Sequence, residues 1–284
     1  MPPPTLTAQY DDRSAMPAHS APRVLPGLGK PLAEVVALVE FTRRVLAAAL
    51  ASIAGRRFPV AETVVQTWYA IRVCTLPALA VSVPFGIILA LQVGVLAQEV
   101  GAVAFTGAGN TLAVVRQASP LITALMLSGV AGSAICADLG SRRIREEIDA
   151  MEVMGLSVVE RLVVPRMFAI VAVAVLLNGV VMFFTIITTL SVSVVLQDLP
   201  PGSYLASVTT LAQVSDLWLS LAKAAIFAVI CALVASYKGL RADRGPTGVG
   251  EAVTSSVVTN FVLLFAANFV ISQVYSTFAG GPIG

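Results

Sequence analysis

The sequence predicts an all-α integral membrane protein, and three observations carry that prediction. Of its 284 residues, 57% are hydrophobic and only 12% are charged, whereas soluble domains carry about 25% charged residues. The mean hydropathy is +0.88. Uncharged apolar runs long enough to cross a bilayer recur along the chain. Water-soluble globular classes are therefore excluded, and a net charge of only +2 gives no reason to expect a nucleic acid partner.

Five transmembrane helices are predicted from the uncharged runs, because a charge at the bilayer centre costs about 2.5 to 3.5 kcal/mol. Each run reaches the ~20 residues that a spanning helix needs. The predicted spans are 73–98, 117–137, 167–197, 217–237 and the charge-free stretch after Glu251. The third run is longer than the hydrocarbon core requires, so we expect that helix to tilt, kink or protrude. The fourth contains one charged residue, Lys223.

The positions of lysine and arginine predict the orientation of these spans. Of the 18 basic residues, eight precede the first span, five lie between spans two and three, and three lie between spans four and five. Short loops rich in lysine and arginine stay in the cytoplasm. We therefore expect a multi-pass protein with a cytoplasmic N-terminus and an extracytoplasmic C-terminus.

The N-terminal region divides into two predicted parts. Residues 1–30 are rich in proline and poor in large hydrophobic residues, which predicts a disordered cytoplasmic tail. Residues 31–55 place their apolar side chains within one arc of a helix and their charges on the other side. This pattern predicts an amphipathic helix in the membrane interface. The alternative is a sixth span, for which the uncharged run 45–55 is short.

The sequence lacks the residues with which the chain alone would catalyse a reaction. It contains no phosphate-binding loop of the form G-x-x-x-x-G-K-[ST], so nucleotide hydrolysis requires another subunit. The single histidine, His19, lies in the proline-rich tail, and no cluster has metal-ligand spacing. We expect no enzyme activity, no metal and no cofactor in this chain, with ATP and Mg²⁺ used by a partner subunit.

The segment between spans two and three has the pattern of a short cytoplasmic helix. Ser141 is predicted to cap its N-terminus and Gly155 to end it. Ile144, Ile148 and Met151 recur at helical spacing and form a predicted apolar ridge surrounded by charge. Such a ridge is typical of a coupling helix, on which a separate motor subunit docks.

The alternative for this segment is a solvated connector that ion pairs stabilise. Three pairs four residues apart are predicted: Arg142 with Glu146, Arg143 with Glu147, and Arg145 with Asp149. The pattern alone leaves both interpretations open. The candidate residues for coupling to an ATPase are Arg142, Arg143, Ile144, Arg145, Glu146, Glu147, Ile148, Asp149, Met151, Glu152 and Met154.

The same segment and its flanks resemble the MlaE/YrbE permeases of lipid-transporting ABC systems, and in particular the A-type YrbE subunits associated with actinobacterial Mce proteins. The run Glu-Glu-Ile-Asp-Ala-Met-Glu-Val-Met-Gly at 146–155 carries most of the resemblance. Further similarity lies at 133–140, 162–166, 89–92, 237–240 and 248–253. The resemblance covers roughly 60–275 and implies an MlaE-like permease domain over 56–284.

The resemblance also implies a function and a set of partners. The chain would be the permease subunit of an ABC-type lipid transporter of the Mce type in a bacterial inner membrane. It would pair with a second YrbE-type permease chain, bind two copies of a cytoplasmic ABC ATPase through the coupling helix, and meet extracytoplasmic MCE-domain proteins and membrane lipids. A passive pore and a non-transporting scaffold of an envelope complex are the rival functions.

Two positions depart from the family pattern. Residues 116–120 are Arg-Gln-Ala-Ser-Pro, whereas the wider family has Arg-Glu-Leu-Gly-Pro there. Val130 stands where many bacterial members carry an arginine. A role for the acidic residue or for the buried arginine is therefore not expected in this chain.

Two polar residues inside the predicted spans are candidates for the substrate path. Lys223 is an intramembrane cation that either meets an anionic lipid group or extends its amine to the interface. Gln92 either lines the path or bonds to another helix as a structural link. Both alternatives stay open for each residue.

Overall fold

The computed structural model describes residues 29–54, 60–211 and 213–279. The predicted disordered tail therefore lies almost entirely outside the described residues. The chain divides into two compact units, Met1–Glu40 and Phe41–Gly284. The five spans and the sites between them belong to the second unit.

All regular structure in the described residues is helical, which confirms the predicted fold class. The α-helices are α1 Gly29–Ala54, α2 Val60–Glu99, α3 Thr106–Ala113, α4 Ser119–Met126, α5 Ser133–Ile144, α6 Glu147–Val153, α7 Val164–Leu196, α8 Pro201–Leu211, α9 Val214–Leu240 and α10 Pro246–Ala279. A 3₁₀ turn precedes α3 at Val103–Phe105, and π turns occupy Val114–Ala118, Leu127–Gly132 and Val159–Val163.

Five stretches of the described helices are long and apolar enough to cross a membrane, as predicted. They are span 1 Glu62–Glu99, span 2 Val103–Ile144, span 3 Val159–Leu196, span 4 Val214–Leu240 and span 5 Pro246–Thr277. Each of them extends beyond the predicted uncharged run. The helices tolerate charges near their ends because partners stabilise those charges, as the ion pair between Arg166 and Asp138 does.

The two ends of the bundle differ in charge. The end where span 2 stops, span 3 starts and spans 4 and 5 join carries most of the described arginines, and we call it the basic end. At the opposite end, the short helix α3 lies at the start of span 2, and the short helix α8 lies in the connection between spans 3 and 4. These two helices pack tightly, because Gly107 of α3 lies directly against Tyr204 and Ser207 of α8.

The second half of α1 belongs to the same unit as the spans. Val45 and Ala49 are buried in the main hydrophobic cluster, together with residues of spans 1 to 4. Phe41 contacts the ring of Tyr237 edge-on, with the ring centroids 5.6 Å apart. The structure thus describes the predicted amphipathic helix, and its position in a membrane interface stays a prediction.

Spans 2 and 4 form the centre of the bundle. In the most apolar 18-residue stretch of spans 2 and 4, 56% and 50% of the residues are buried. The corresponding shares for spans 1 and 5 are 22% and 11%. Small residues allow the central helices to approach: the α-carbon of Gly132 lies beside the Cys231 thiol, and Gly239 lies against the backbone of Cys136. Spans 1 and 5 therefore present broad apolar faces to lipid or to another chain.

Candidate functional site

The predicted coupling helix is broken in the structure. Residues 141–144 are the last turn of α5, and the Ser141 hydroxyl donates back to the carbonyl of Asp138, so Ser141 is not an N-cap. The break lies at Glu146, which has a positive φ of 59°. A new helix, α6, runs over Glu147–Val153. The prediction of a single helix was wrong because apolar periodicity does not reveal a break at one residue with a left-handed backbone conformation.

The predicted end of the segment is confirmed. Gly155 has a φ of 73°, a conformation that glycine adopts without steric cost. Its amide and that of Leu156 bond back to the carbonyls of Glu152 and Met151 and so close the last turn of α6.

The connection between spans 4 and 5 holds α6 in place. Arg143 donates to the carbonyl of Leu240 at the end of span 4. Arg244 pairs with Asp149 of α6 at 3.1 Å and with Glu146 at the break at 3.5 Å. The connection between spans 4 and 5 therefore contacts both α6 and the end of α5.

The charges around the break pair differently from the prediction. Arg142 pairs with Asp138 at 3.2 Å and with Glu147 at 3.5 Å, and Arg145 pairs with Glu147 at 2.7 Å. These contacts take the place of the three predicted i,i+4 pairs. The hydrogen bond from Arg145 lowers the pKa of Glu147, and the same bond raises the pKa of Arg145.

The most exposed apolar side chains of this region are not those of the predicted ridge, of which only Ile144, at 38%, is exposed. Ile148 is only 5% exposed and anchors α6 to the bundle, whereas Val153 and Met154 are 89% and 66% exposed. The sequence analysis did not select Val153. Its position two residues before Gly155, which ends the helix, was the signal that could have identified it. Two exposed apolar side chains on a charged, anchored helix make a docking tip, which we define as Val153 and Met154.

A second group of polar residues lies at the opposite end of the bundle, between spans 2, 4 and 5. Asp216, in the first turn of α9, is 1% exposed. Its Oδ1 accepts from Arg116 Nε at 2.7 Å and from the Tyr275 hydroxyl at 3.1 Å. Its Oδ2 accepts from the backbone N–H of Gln213 at 3.1 Å, which completes a capping box. The buried carboxylate is therefore fully paired.

Lys223 lies in the same group, two turns further into span 4. Its Nζ donates to the carbonyl of Arg116 at 2.9 Å, to Ser272 at 2.8 Å and to Asn268 at 3.4 Å. The residue is 1% exposed, so the amine ends among protein groups and not at the interface that snorkelling would require. Asp216 forms its ion pair with Arg116.

These residues line a cavity of about 530 Å³. Arg116, Gln117 and Lys223 contribute from spans 2 and 4, and Ser272, Tyr275 and Ser276 contribute from span 5. The Arg116 side chain is 41% exposed although its Nε is paired. The cavity therefore offers a partly free guanidinium beside a buried amine.

Gln92 lies away from both groups, on the exposed face of span 1. An amide that faces hydrocarbon loses its hydrogen bonds to water without a replacement. The exposed position of Gln92 therefore favours a contact outside this chain, and its assignment to the substrate path stays a prediction.

Comparison with known proteins identifies the family. A family model described as permease MlaE matches residues 63–274. The chain belongs to the MlaE permease family. The MlaE match covers all five spans, both ends of the bundle and α6. The predicted family is thus confirmed, and the assignment to the A-type actinobacterial branch stays a prediction.

Relatives of this MlaE permease carry names that agree with the family. A probable ABC transporter permease of Synechocystis is 32% identical over 187 residues, covering 66% of this chain and 71% of the relative. One from Rickettsia bellii is 27% identical over 205 residues, covering 71% and 78%. The chloroplast protein trigalactosyldiacylglycerol 1 of Arabidopsis thaliana is 30% identical over 176 residues, covering 61% and 49%. The chain is therefore a multi-pass permease subunit of an ABC transporter, which works with ATPase partners.

Proposed function

We propose that this permease moves a lipid or a fatty acid across or out of the bacterial inner membrane, with energy from two copies of a cytoplasmic ATPase. The observation that carries the proposal is the mainly polar cavity between spans 2, 4 and 5, which places Arg116 and Lys223 within a bundle of apolar helices. A cationic group beside apolar helices suits an amphiphile with an anionic or strongly polar head. The name of the Arabidopsis relative, which is that of a glycolipid, supports a lipid substrate.

Within the cavity, Arg116 is the group that is best suited to meet the substrate. Its guanidinium is partly exposed, and only its Nε is engaged with Asp216. Lys223 has three protein partners and supports the wall of the cavity beside it. We therefore add Arg116 to the substrate path that was predicted from the sequence. Lys223 contributes to that path mainly by fixing the position of the Arg116 backbone.

The docking tip supplies the proposed link to ATP. The motor would bind Val153 and Met154, since apolar side chains at the centre of a contact contribute most of its affinity. Arg244, which pairs with Asp149 of α6, and Arg143, which joins the end of α5 to Leu240, would carry the motion to spans 2, 4 and 5. This arrangement requires the basic end to face the cytoplasm, with the C-terminus outside, as the distribution of lysine and arginine favours.

The remaining partners follow from the resemblance to Mce-associated permeases. A second YrbE-type chain would cover the open faces of spans 1 and 5, where Gln92 needs a polar partner. MCE-domain proteins would receive or deliver the lipid at the end formed by α3 and α8.

Reconstitution of the permease with its ATPase in liposomes that contain fluorescent lipid tests this function. We expect lipid transfer that requires ATP. Arg116→Gln should reduce this transfer. Arg161→Gln changes an exposed arginine at the other end of the bundle and should leave the transfer unchanged. Transfer without ATP would indicate a passive pore. Stable complexes with no transfer under any condition would indicate a scaffold.

A further inference from the structure

A second cavity lies at the basic end of the bundle, between spans 1, 2 and 3. Its volume is about 370 Å³, within the range of small-molecule sites. Its walls are apolar and come from all three spans, and its floor is charged. The charged floor consists of Glu62, Asp138, Arg142 and Arg166.

Arg166 is the unusual group in this cleft. The residue is 5% exposed, and it pairs with Asp138 through Nη2. Its Nη1 is buried and has no hydrogen-bond partner. A buried unpaired guanidinium nitrogen is costly, because it has lost its bonds to water without a replacement.

The charges of the floor are arranged in two parts. Arg166 and Arg142 both pair with Asp138, and Arg142 also pairs with Glu147, so the donor left unpaired on this side is Nη1 of Arg166. Glu62 brings a carboxylate to the same cleft from span 1, and its Oε1 accepts a bond of 2.6 Å from Gln66. The charged floor thus offers a hydrogen-bond donor, Arg166, to an anionic group and a carboxylate, Glu62, to a cationic group.

The cleft is also open on its apolar side. Val65, Tyr69 and Val73 line one wall and are exposed on the surface of span 1. A chain lying along this wall would pass from the cleft into the surrounding hydrocarbon. The volume is sufficient for a head group and the first part of such a chain.

We infer that this cleft binds a zwitterionic amphiphile, with a phosphate on Arg166, an ammonium near Glu62 and an acyl chain along span 1. The site lies at the other end of the bundle from Arg116 and Lys223, so it is separate from the proposed transport cavity. The inference concerns binding alone and does not require transport.

Native mass spectrometry of the full chain in detergent measures this binding directly. The probe is oleoyl lysophosphatidylethanolamine, compared with oleoyl lysophosphatidic acid, monoolein and free phosphoethanolamine. We expect the zwitterionic lysolipid to bind most tightly. Equal binding of monoolein would mean that the charged floor plays no part, and equal binding of phosphoethanolamine would mean that the apolar wall plays none. Either result would overturn the inference.

Three variants assign the contacts. Arg166→Gln should weaken the lysolipid by about ten-fold or more, as the loss of a charged hydrogen bond predicts, while Arg161→Gln is the matched control. Glu62→Gln should reduce the preference for the ethanolamine head over the bare phosphate. Unchanged affinity in folded Arg166→Gln would refute the site.

The apolar wall provides a test that leaves the ion pairs intact. Ala134→Phe fills the cleft from span 2 and should abolish binding of both lysolipids. Ala80→Phe, on the exposed face of span 1, adds the same volume elsewhere and should not. If Arg166→Gln fails to fold, Ala134→Phe and Ala80→Phe decide the question. Wild-type binding of the lysolipid by both of these variants would place the lysolipid outside the cleft.

Discussion

Lys223 Nζ donates a hydrogen bond of 2.9 Å to the carbonyl oxygen of Arg116, four residues before Pro120. Arg116 lies in the π turn that precedes α4, and in a regular α-helix its carbonyl would accept from the N–H of residue 120. Proline has no N–H, so span 2 lacks one backbone donor at this point. An unpaired carbonyl is costly in a membrane, and the amine of span 4 supplies the missing donor. Lys223 therefore has a structural role in span 4 that does not depend on a substrate.

Lys223→Met should therefore lower the stability of the permease. We expect a loss of about 2 kcal/mol, because the Arg116 carbonyl and two side chains lose their donor. Pro120→Ala supplies a backbone N–H and should restore part of that stability in the double variant. Thermal unfolding in detergent measures both. If Lys223 served only to contact substrate, the single variant would unfold like the wild type.

Asp216→Asn should destabilise the opposite end of the bundle more than Tyr275→Phe does. The first change removes a charged hydrogen bond between the buried carboxylate and the partly exposed Arg116 and should cost ~2 kcal/mol. The second removes one neutral donor and should cost about 1 kcal/mol. Chemical unfolding of the two variants side by side gives the comparison. Equal losses would show that the ion pair contributes no more than the hydroxyl.

Single-cysteine labelling should place the basic end in the cytoplasm. The native Cys74, Cys136 and Cys231 are buried, so they should give little background. A membrane-impermeant reagent should label Gly202→Cys in α8 on intact cells, and Glu147→Cys in α6 only after the cells are opened. Labelling of position 147 from outside would reverse the proposed orientation.

The docking tip should be required for binding of the ATPase. Met154→Asp places a charge in an apolar contact and should weaken co-purification of the ATPase by ten-fold or more. Ser157→Asp adds the same charge nearby on an exposed residue and serves as the control. Both variants should keep the wild-type unfolding temperature, since neither side chain is buried. Full recovery of the ATPase with Met154→Asp would remove the tip from the interface.

Much of the fold follows from composition and charge. Lipid excludes charges, so uncharged runs mark the five spans, and Gly155 marks the end of α6 because few other residues adopt its backbone conformation. The break at Glu146 did not follow, because its apolar pattern is the same with or without a break, and its neighbours Leu240 and Arg244 are distant in sequence.

The sites were less predictable than the spans. Sequence analysis selected Lys223 because it is charged, but it could not find the bond to Arg116, which joins residues 107 positions apart. The unpaired nitrogen of Arg166 was equally hidden, because unsatisfied bonding appears only when neighbouring helices are in place. Val153 was passed over because its exposure depends on which face of α6 Ile148 anchors.

The most direct test of ATP-driven lipid transport is the ATPase rate of the reconstituted complex with and without lipid substrate, in wild type and Met154→Asp. The proposed mechanism predicts that lipid raises the wild-type rate, and that the variant loses this response while the permease stays folded. A wild-type rate that does not respond to any lipid, or a full response in the variant, would contradict it.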